Sequence, residues 1–306
     1  MATVNGLAEE HARHRDRLAE SAALEARRLW SRVDRDDVSG SWAGMVGRML
    51  AVVMGAQQLS ASRADSYTTD ALDAQGVNVE PVGRVDPRGL VGVASDGRPL
   101  DSLLGRPVAA FKIAMYRGET LPRSMAVGQA TLDMIVRTQV ADAGRVADGV
   151  AIAARPTVGY VRTLRGRGCS RCAILAGRFY RYNNGFRRHP RCKCIHVPAK
   201  GAQAARSEGL ISDPREYFDS LSREEQDRIF TADGAQAIRD GADMSQVVNA
   251  RRGMTSAGRT TEGTTRRGFA NHRLRGSQRI MPEEIYRIAQ GREEVVSLLR
   301  LHGYIV

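Results

Sequence analysis

Four cysteines and two histidines fall within 28 residues of this chain: Cys169-Ser-Arg-Cys172, then His189-Pro-Arg-Cys192-Lys-Cys194-Ile-His196. No cysteine occurs elsewhere. Thiols confined to one cluster serve chemistry or a metal rather than general core filling. Two closely spaced donor pairs joined by a short loop suit tetrahedral Zn²⁺. A C-x2-C step lets two thiolates meet one ion across a tight turn. The return half then offers His189, Cys192, Cys194 and His196 for two remaining positions. Cys169, Cys172, Cys192 and Cys194 make one complete set; a Cys3His set using His189 makes another. His196 is the weaker donor, placed behind the ligands or at the surface. Four protein donors close the coordination shell, so the expected zinc is a structural staple with no open water position. An oxidised Cys169–Cys172 pair is the redox competitor. A reducing cytoplasm and the second donor pair favour the metal.

Catalytic readings find less support. A Cys–His nucleophile normally draws its partners from separated elements oriented by a third group, whereas these donors are spaced as chelators. The chain contains no H-E-x-x-H, G-x-S-x-G, G-x4-G-K-[ST] or G-x-G-x-x-G. His11, His14 and His302 read as exposed bystanders. The expectation is a non-enzyme with no small-molecule substrate.

The formal charge of +12 is segregated. From Gly149 to Ser207 there are thirteen Arg or Lys residues and no acid; from Arg251 to Arg279 there are eight arginines against Glu262 alone. The remainder of the chain is therefore net acidic. Candidate contacts to a polyanion or an acidic protein surface are Arg162, Arg165, Arg167, Arg187, Arg188 and Arg191 in the first segment. In the second they are Arg251, Arg252, Arg266, Arg267, Arg273 and Arg275. No stretch approaches the roughly 18–20 apolar residues of a membrane span, so no membrane partner is expected.

The elements that must position this cluster are mainly helical. Residues 7–34 read as an amphipathic helix with Leu7, Leu18, Leu24, Leu29 and Trp30, followed by a break at 37–41. A second helix runs from Trp42 to about Asp70 with Met45, Met49, Val52, Val53 and Leu59 on its buried stripe. Asp101 caps a helix to about Tyr116, and another runs from about Arg123 to Ala153. Alternation over 159–164 predicts a strand leading into the first cysteine pair. Asp213-Pro214 and the capping box Ser222…Glu225 open two further helices. A last helix starts at Pro282, is interrupted by Gly291 and is capped by Gly303. The fold class is mainly α with an α+β element: long helices flank a small β-containing zinc knuckle, with a helical C-terminal extension. The divisions are an N-terminal helical region 1–74, a loop or linker 75–100, a core with the knuckle 101–200, a helical region 201–250, a basic flexible segment 251–280 and a C-terminal helix 281–306.

The cysteine segment resembles the Mu F-like head morphogenesis (minor capsid) proteins of tailed bacteriophages. The resemblance rests on Cys169, Cys172, Leu175, Gly177, Arg178, Phe179, His189, Pro190, Cys192 and Cys194, and covers about residues 125–200. The Arg/Ala-rich style and the segment Val248–Met254 look like versions from phages of actinobacteria. The resemblance implies a structural virion protein, assembled in the host cytoplasm and placed in the capsid interior or at the portal vertex. Its implied partners are the portal protein, capsid and scaffold proteins, and double-stranded DNA. The alternative is a zinc-stabilised nucleic-acid-binding protein without a capsid role, and a capsid maturation protease stands behind both.

Overall fold

A computed structural model of the chain describes residues 3–166, 168–181, 192, 194–263, 274 and 277–305. It is mainly α-helical with two small antiparallel sheets, as the sequence predicts. Contacts divide it into two units: Met1–Arg165 with Phe179–Ile211, and Gly166–Arg178 with Ser212–Val306.

The first unit is built on three long helices, α1 (Val4–Trp30), α2 (Val38–Ala61) and α6 (Leu121–Ala153). With aromatics scarce, these helices approach on small side chains. Ala19, Ala22, Ala23 and Ala26 of α1 pack in one cluster with Met49 and Val53 of α2 and Leu132, Val136 and Val140 of α6. Both tryptophans join that core. Trp30 and Trp42 meet edge to face at 5.2 Å, and their indole N–H groups donate to the carbonyls of Met125 and Leu104, so each buried ring keeps its polar atom satisfied.

The alanine face also corrects the expected stripe. Leu24 and Leu59, read as core, are 45% and 54% exposed. They line a cavity of about 570 Å³ bordered by α1 and α2. The reason is steric: close helix approach is made largely by alanines, leaving Leu24 and Leu59 outside while Leu29 stays in the core. Asp37 is no break. Its carboxylate accepts the Gly40 N–H at 2.9 Å, so α2 begins at Val38. Helix α2 ends at Ala61, and α3 (Ala64–Asp73) follows as a separate element.

After α3 the chain forms a 3₁₀ turn at Pro87–Leu90, a one-turn α4 (Asp101–Leu104) and α5 (Arg106–Tyr116), which packs against α6. Then β1 (Gly159–Thr163) takes the middle of a sheet, between β2 (Phe179–Arg181) and β3 (Ile195–Ala199), both antiparallel to it. The β1–β3 register pairs Val161 with Val197 and Arg162 with His196. Val161, Ile195, Val197 and Ala199 cluster with Val4, Ala8 and Ala12 of α1 and Tyr67 of α3. The unit closes with α8 (Gly201–Ser207).

The second unit comprises α7 (Ser170–Leu175) and the short helices α9 (Pro214–Asp219), α10 (Arg223–Phe230), α11 (Ala232–Arg239) and α12 (Met244–Ala250). A two-stranded ribbon pairs β4 (Arg259–Thr260) with β5 (Arg279–Ile280), and α13 (Pro282–Ile288) and α14 (Arg292–Leu301) follow. The two starts read from sequence are present. Asp213 accepts the Arg215 N–H at 2.8 Å, and Ser222 and Glu225 form a reciprocal capping box. Gly291 divides the expected last helix in two, and Gly303 at φ 71° ends the second. Tyr304 folds back completely buried, its N–H on the Leu299 carbonyl.

Candidate metal centre

Cys192 and Cys194 lie just ahead of β3 and are buried. Helix α6 holds their backbone. The Arg145 guanidinium donates to the Cys194 carbonyl at 3.3 Å and to the Cys192 carbonyl, and is itself fixed by Asp142 at 3.0 Å. A second guanidinium approaches the sulfur: Arg162 Nη2 stands 3.7 Å from Cys192 Sγ. Asp16, Glu20, Arg137, Arg145 and Cys192 line a cavity of about 310 Å³.

The C-x2-C step forms the start of α7. Cys169 is the N-cap, and its sulfur accepts the Cys172 N–H at 3.4 Å. Cys169 is exposed, whereas Cys172 is buried. Gly177, which follows this helix, sits at φ 69°, and a Cβ there would lie 2.3 Å from the Ser212 carbonyl oxygen. The glycine of the Leu-x-Gly-Arg-Phe run is thus required by backbone conformation and close approach together.

Cys172 is buried in the second unit, and Cys192 and Cys194 are buried in the first. Buried thiols of this kind are donors suited to a soft or borderline metal such as Zn²⁺. His189 lies outside the described residues. His196, the weaker donor in sequence, is engaged elsewhere. Its ring packs on Tyr160 at 4.5 Å, and its carbonyl accepts the Tyr67 hydroxyl at 2.8 Å.

The basic candidates separate. Arg162 is 1% exposed and cannot meet a partner surface; its place is against Cys192. Both faces of β1 are covered, with Gly159 to Arg162 all buried, so the alternation of the strand could not by itself have placed Arg162. Arg165 pairs with Asp16, and Arg251 pairs with Glu283 while donating to Thr231. Arg252 is exposed. Arg167, Arg187, Arg188, Arg191, Arg266, Arg267, Arg273 and Arg275 lie outside the described residues.

A buried polar group behind the sheet escaped sequence reasoning. His11 is buried, contrary to the bystander reading. Its Nε2 meets Asp148 at 2.8 Å, its ring stacks on Tyr67 at 4.0 Å, and Arg15 donates to the other Asp148 oxygen at 3.1 Å. Burial alone would raise the Asp148 carboxyl; His11 and Arg15 overcome it and hold the group below its usual range. The available signal was the spacing of His11 and Arg15 among Ala8, Ala12 and Ala19, which places all five on the inner face of α1. His302, the other supposed bystander, is buried as well and accepts the Ile280 N–H at 3.2 Å.

Comparison of the chain with protein-family models, with curated proteins and with solved structures gave no match.

Proposed function

We propose that this chain is a structural, non-enzymatic minor capsid or head morphogenesis protein of a tailed phage. It would assemble in the host cytoplasm with portal, capsid and scaffold proteins and reside in the virion. The observation that supports the reading is the burial of Cys172, Cys192 and Cys194, three of the residues on which the resemblance to the Mu F-like proteins rests. Zn²⁺ fits this thiol-rich donor set. Cys172, Cys192 and Cys194 would hold it, with Cys169 or His189 completing the shell. The ion would staple a segment whose strands are only three to five residues long, and Arg162 and Arg145 would offset the thiolate charge. Mass spectrometry of purified virions and empty proheads tests the reading. The uncleaved chain is expected in both, in few copies; its absence from both overturns it. Metal analysis of the reduced protein should find about one zinc per chain.

The charge segregation favours a second reading, a zinc-stabilised nucleic-acid-binding protein. Duplex DNA binding with steep salt dependence, by a chain missing from virions, would select it.

A further inference from the structure

The turn between α5 and α6 carries an apolar patch that neither the metal centre nor the basic segments explain. Helix α5 buries Pro107, Phe111 and Ala114 against its neighbours. The opposite face holds Lys112, Ile113 and Tyr116. Tyr116 is 93% exposed and Ile113 52%, with Met115 exposed beside them. On the first turns of α6, Pro122, Ala126 and Ala130 recur at i, i+4, i+8 and are also exposed. The connection is only Arg117–Thr120, turned through Gly118 at φ 84°, and the Glu119 N–H returns to the Ala114 carbonyl at 3.1 Å. Such a tip is presented in one conformation, so ordering it on binding costs little.

Its charge is one-sided. From Arg106 to Arg123 the chain holds Arg106, Lys112, Arg117 and Arg123 against Glu119. Among the described residues, none of these five makes an ion pair. A wholly exposed tyrosine with isoleucine and methionine beside it, rimmed by free cations, has the composition of a protein interface centre. Phosphate backbones would use the cations and leave Ile113 and Met115 without a partner. We infer that the α5–α6 tip docks a partner protein through an acidic amphipathic helix, whose apolar stripe covers Ile113 and Tyr116 while its flanking carboxylates face Lys112, Arg117 and Arg123. This holds whether or not the chain belongs to a phage head.

The test uses the full chain and a labelled synthetic helix with leucines along one face and glutamates on both flanks, followed by fluorescence anisotropy. Binding is expected, weakened about tenfold or more by Tyr116→Ala and by Ile113→Ala, as truncation of an interface anchor does. It should also be weakened by added salt and by Lys112→Glu with Arg123→Glu. Unchanged circular dichroism of the variants, which alter exposed side chains, keeps folding out of the comparison. Absence of binding overturns the inference, as does equal affinity for the same helix with lysines replacing the glutamates. Tyr116-dependent binding of duplex DNA or of phosphatidylserine vesicles, or Tyr116-dependent self-association without binding of the acidic helix, also overturns it.

Discussion

At the scale of single residues, the thiols and the buried ions set the sharpest expectations. Cys172→Ser removes a buried thiol that the proposed zinc would use. Zinc found in the wild type by metal analysis under reducing conditions should be lost from the variant, while far-UV circular dichroism retains the signal of α1, α2 and α6. Arg162→Met keeps the bulk of a side chain that is 1% exposed but deletes the charge 3.7 Å from Cys192 Sγ. With Cys192 as a ligand of the proposed zinc, loss of this charge behind it should weaken zinc affinity by about 10–100-fold in a chelator competition. Asp148 offers a test with no metal in it. Asp148→Ala leaves Arg15 buried without its counter-charge and His11 without its hydrogen-bond partner, and should destabilise by about 3–5 kcal/mol in urea unfolding. The pH dependence has a definite sign. The folded carboxyl is held below its ordinary value of about 3.9, so its contribution is complete above that pH and is lost as pH falls through the lower folded value. Asp148→Asn should therefore flatten the acid limb of the stability profile.

Between elements, close approach and capping decide stability. Helix α6 passes Trp30 at Gly128, where a Cβ would stand 2.3 Å from the indole ring. Gly128→Ala forces the ring or the helix to shift and should cost about 1–3 kcal/mol in thermal unfolding, the usual penalty of overpacking. In the second unit, His302 at the end of α14 accepts the β5 N–H of Ile280, which requires an unprotonated Nδ1. Burial, then the charges of Arg279 and Arg259, push its pKa down to about 4. A free histidine titrates near 6.5, so the unfolded chain takes up the proton first. Stability linked to this contact is complete above pH of about 6.5 and declines as pH falls toward about 4. Urea unfolding of wild type and His302→Gln at neutral and mildly acid pH should show the decline only in the wild type. Capping was the part of this level best announced by the chain. Asp213, Ser222 with Glu225, and Gly303 act where they were expected because their bonds reach only two to five residues away.

For the whole molecule, the net charge of +12 is the dominant fact. Where duplex DNA is a partner, as proposed, its binding to the isolated chain should fall with salt, the logarithmic slope counting the phosphates neutralised at about 0.9 each. Arg252→Gln, at an exposed position, should reduce the slope by about one if Arg252 contacts phosphate, with little change in sequence preference. Arg162→Met should leave the slope unaltered, because that guanidinium is turned into the protein against a thiol. The comparison separates a count of arginines in the sequence from a count of those that reach solvent.

Composition and spacing were enough for the helical class, the strand at 159–163 and the caps at Asp213, Ser222 and Gly303, since periodicity and short-range hydrogen bonding act within a few residues; Asp101, expected as a cap, is instead the first residue of α4. They could not say which thiols are buried. Cys169 and Cys172 are three residues apart, yet one is exposed and the other buried. Nor could they sort equal side chains by burial. Leu24 and Leu59 ended outside while alanines took the helix contacts, and His11 and Arg162 ended inside. Burial of a charged side chain depends on whether a counter-charge or sulfur arrives from a distant part of the chain. Asp148 comes to His11 across 137 residues and Cys192 to Arg162 across 30. Only tertiary packing supplies those partners, so only the folded structure decided which arginines brace the thiols and which remain for a partner.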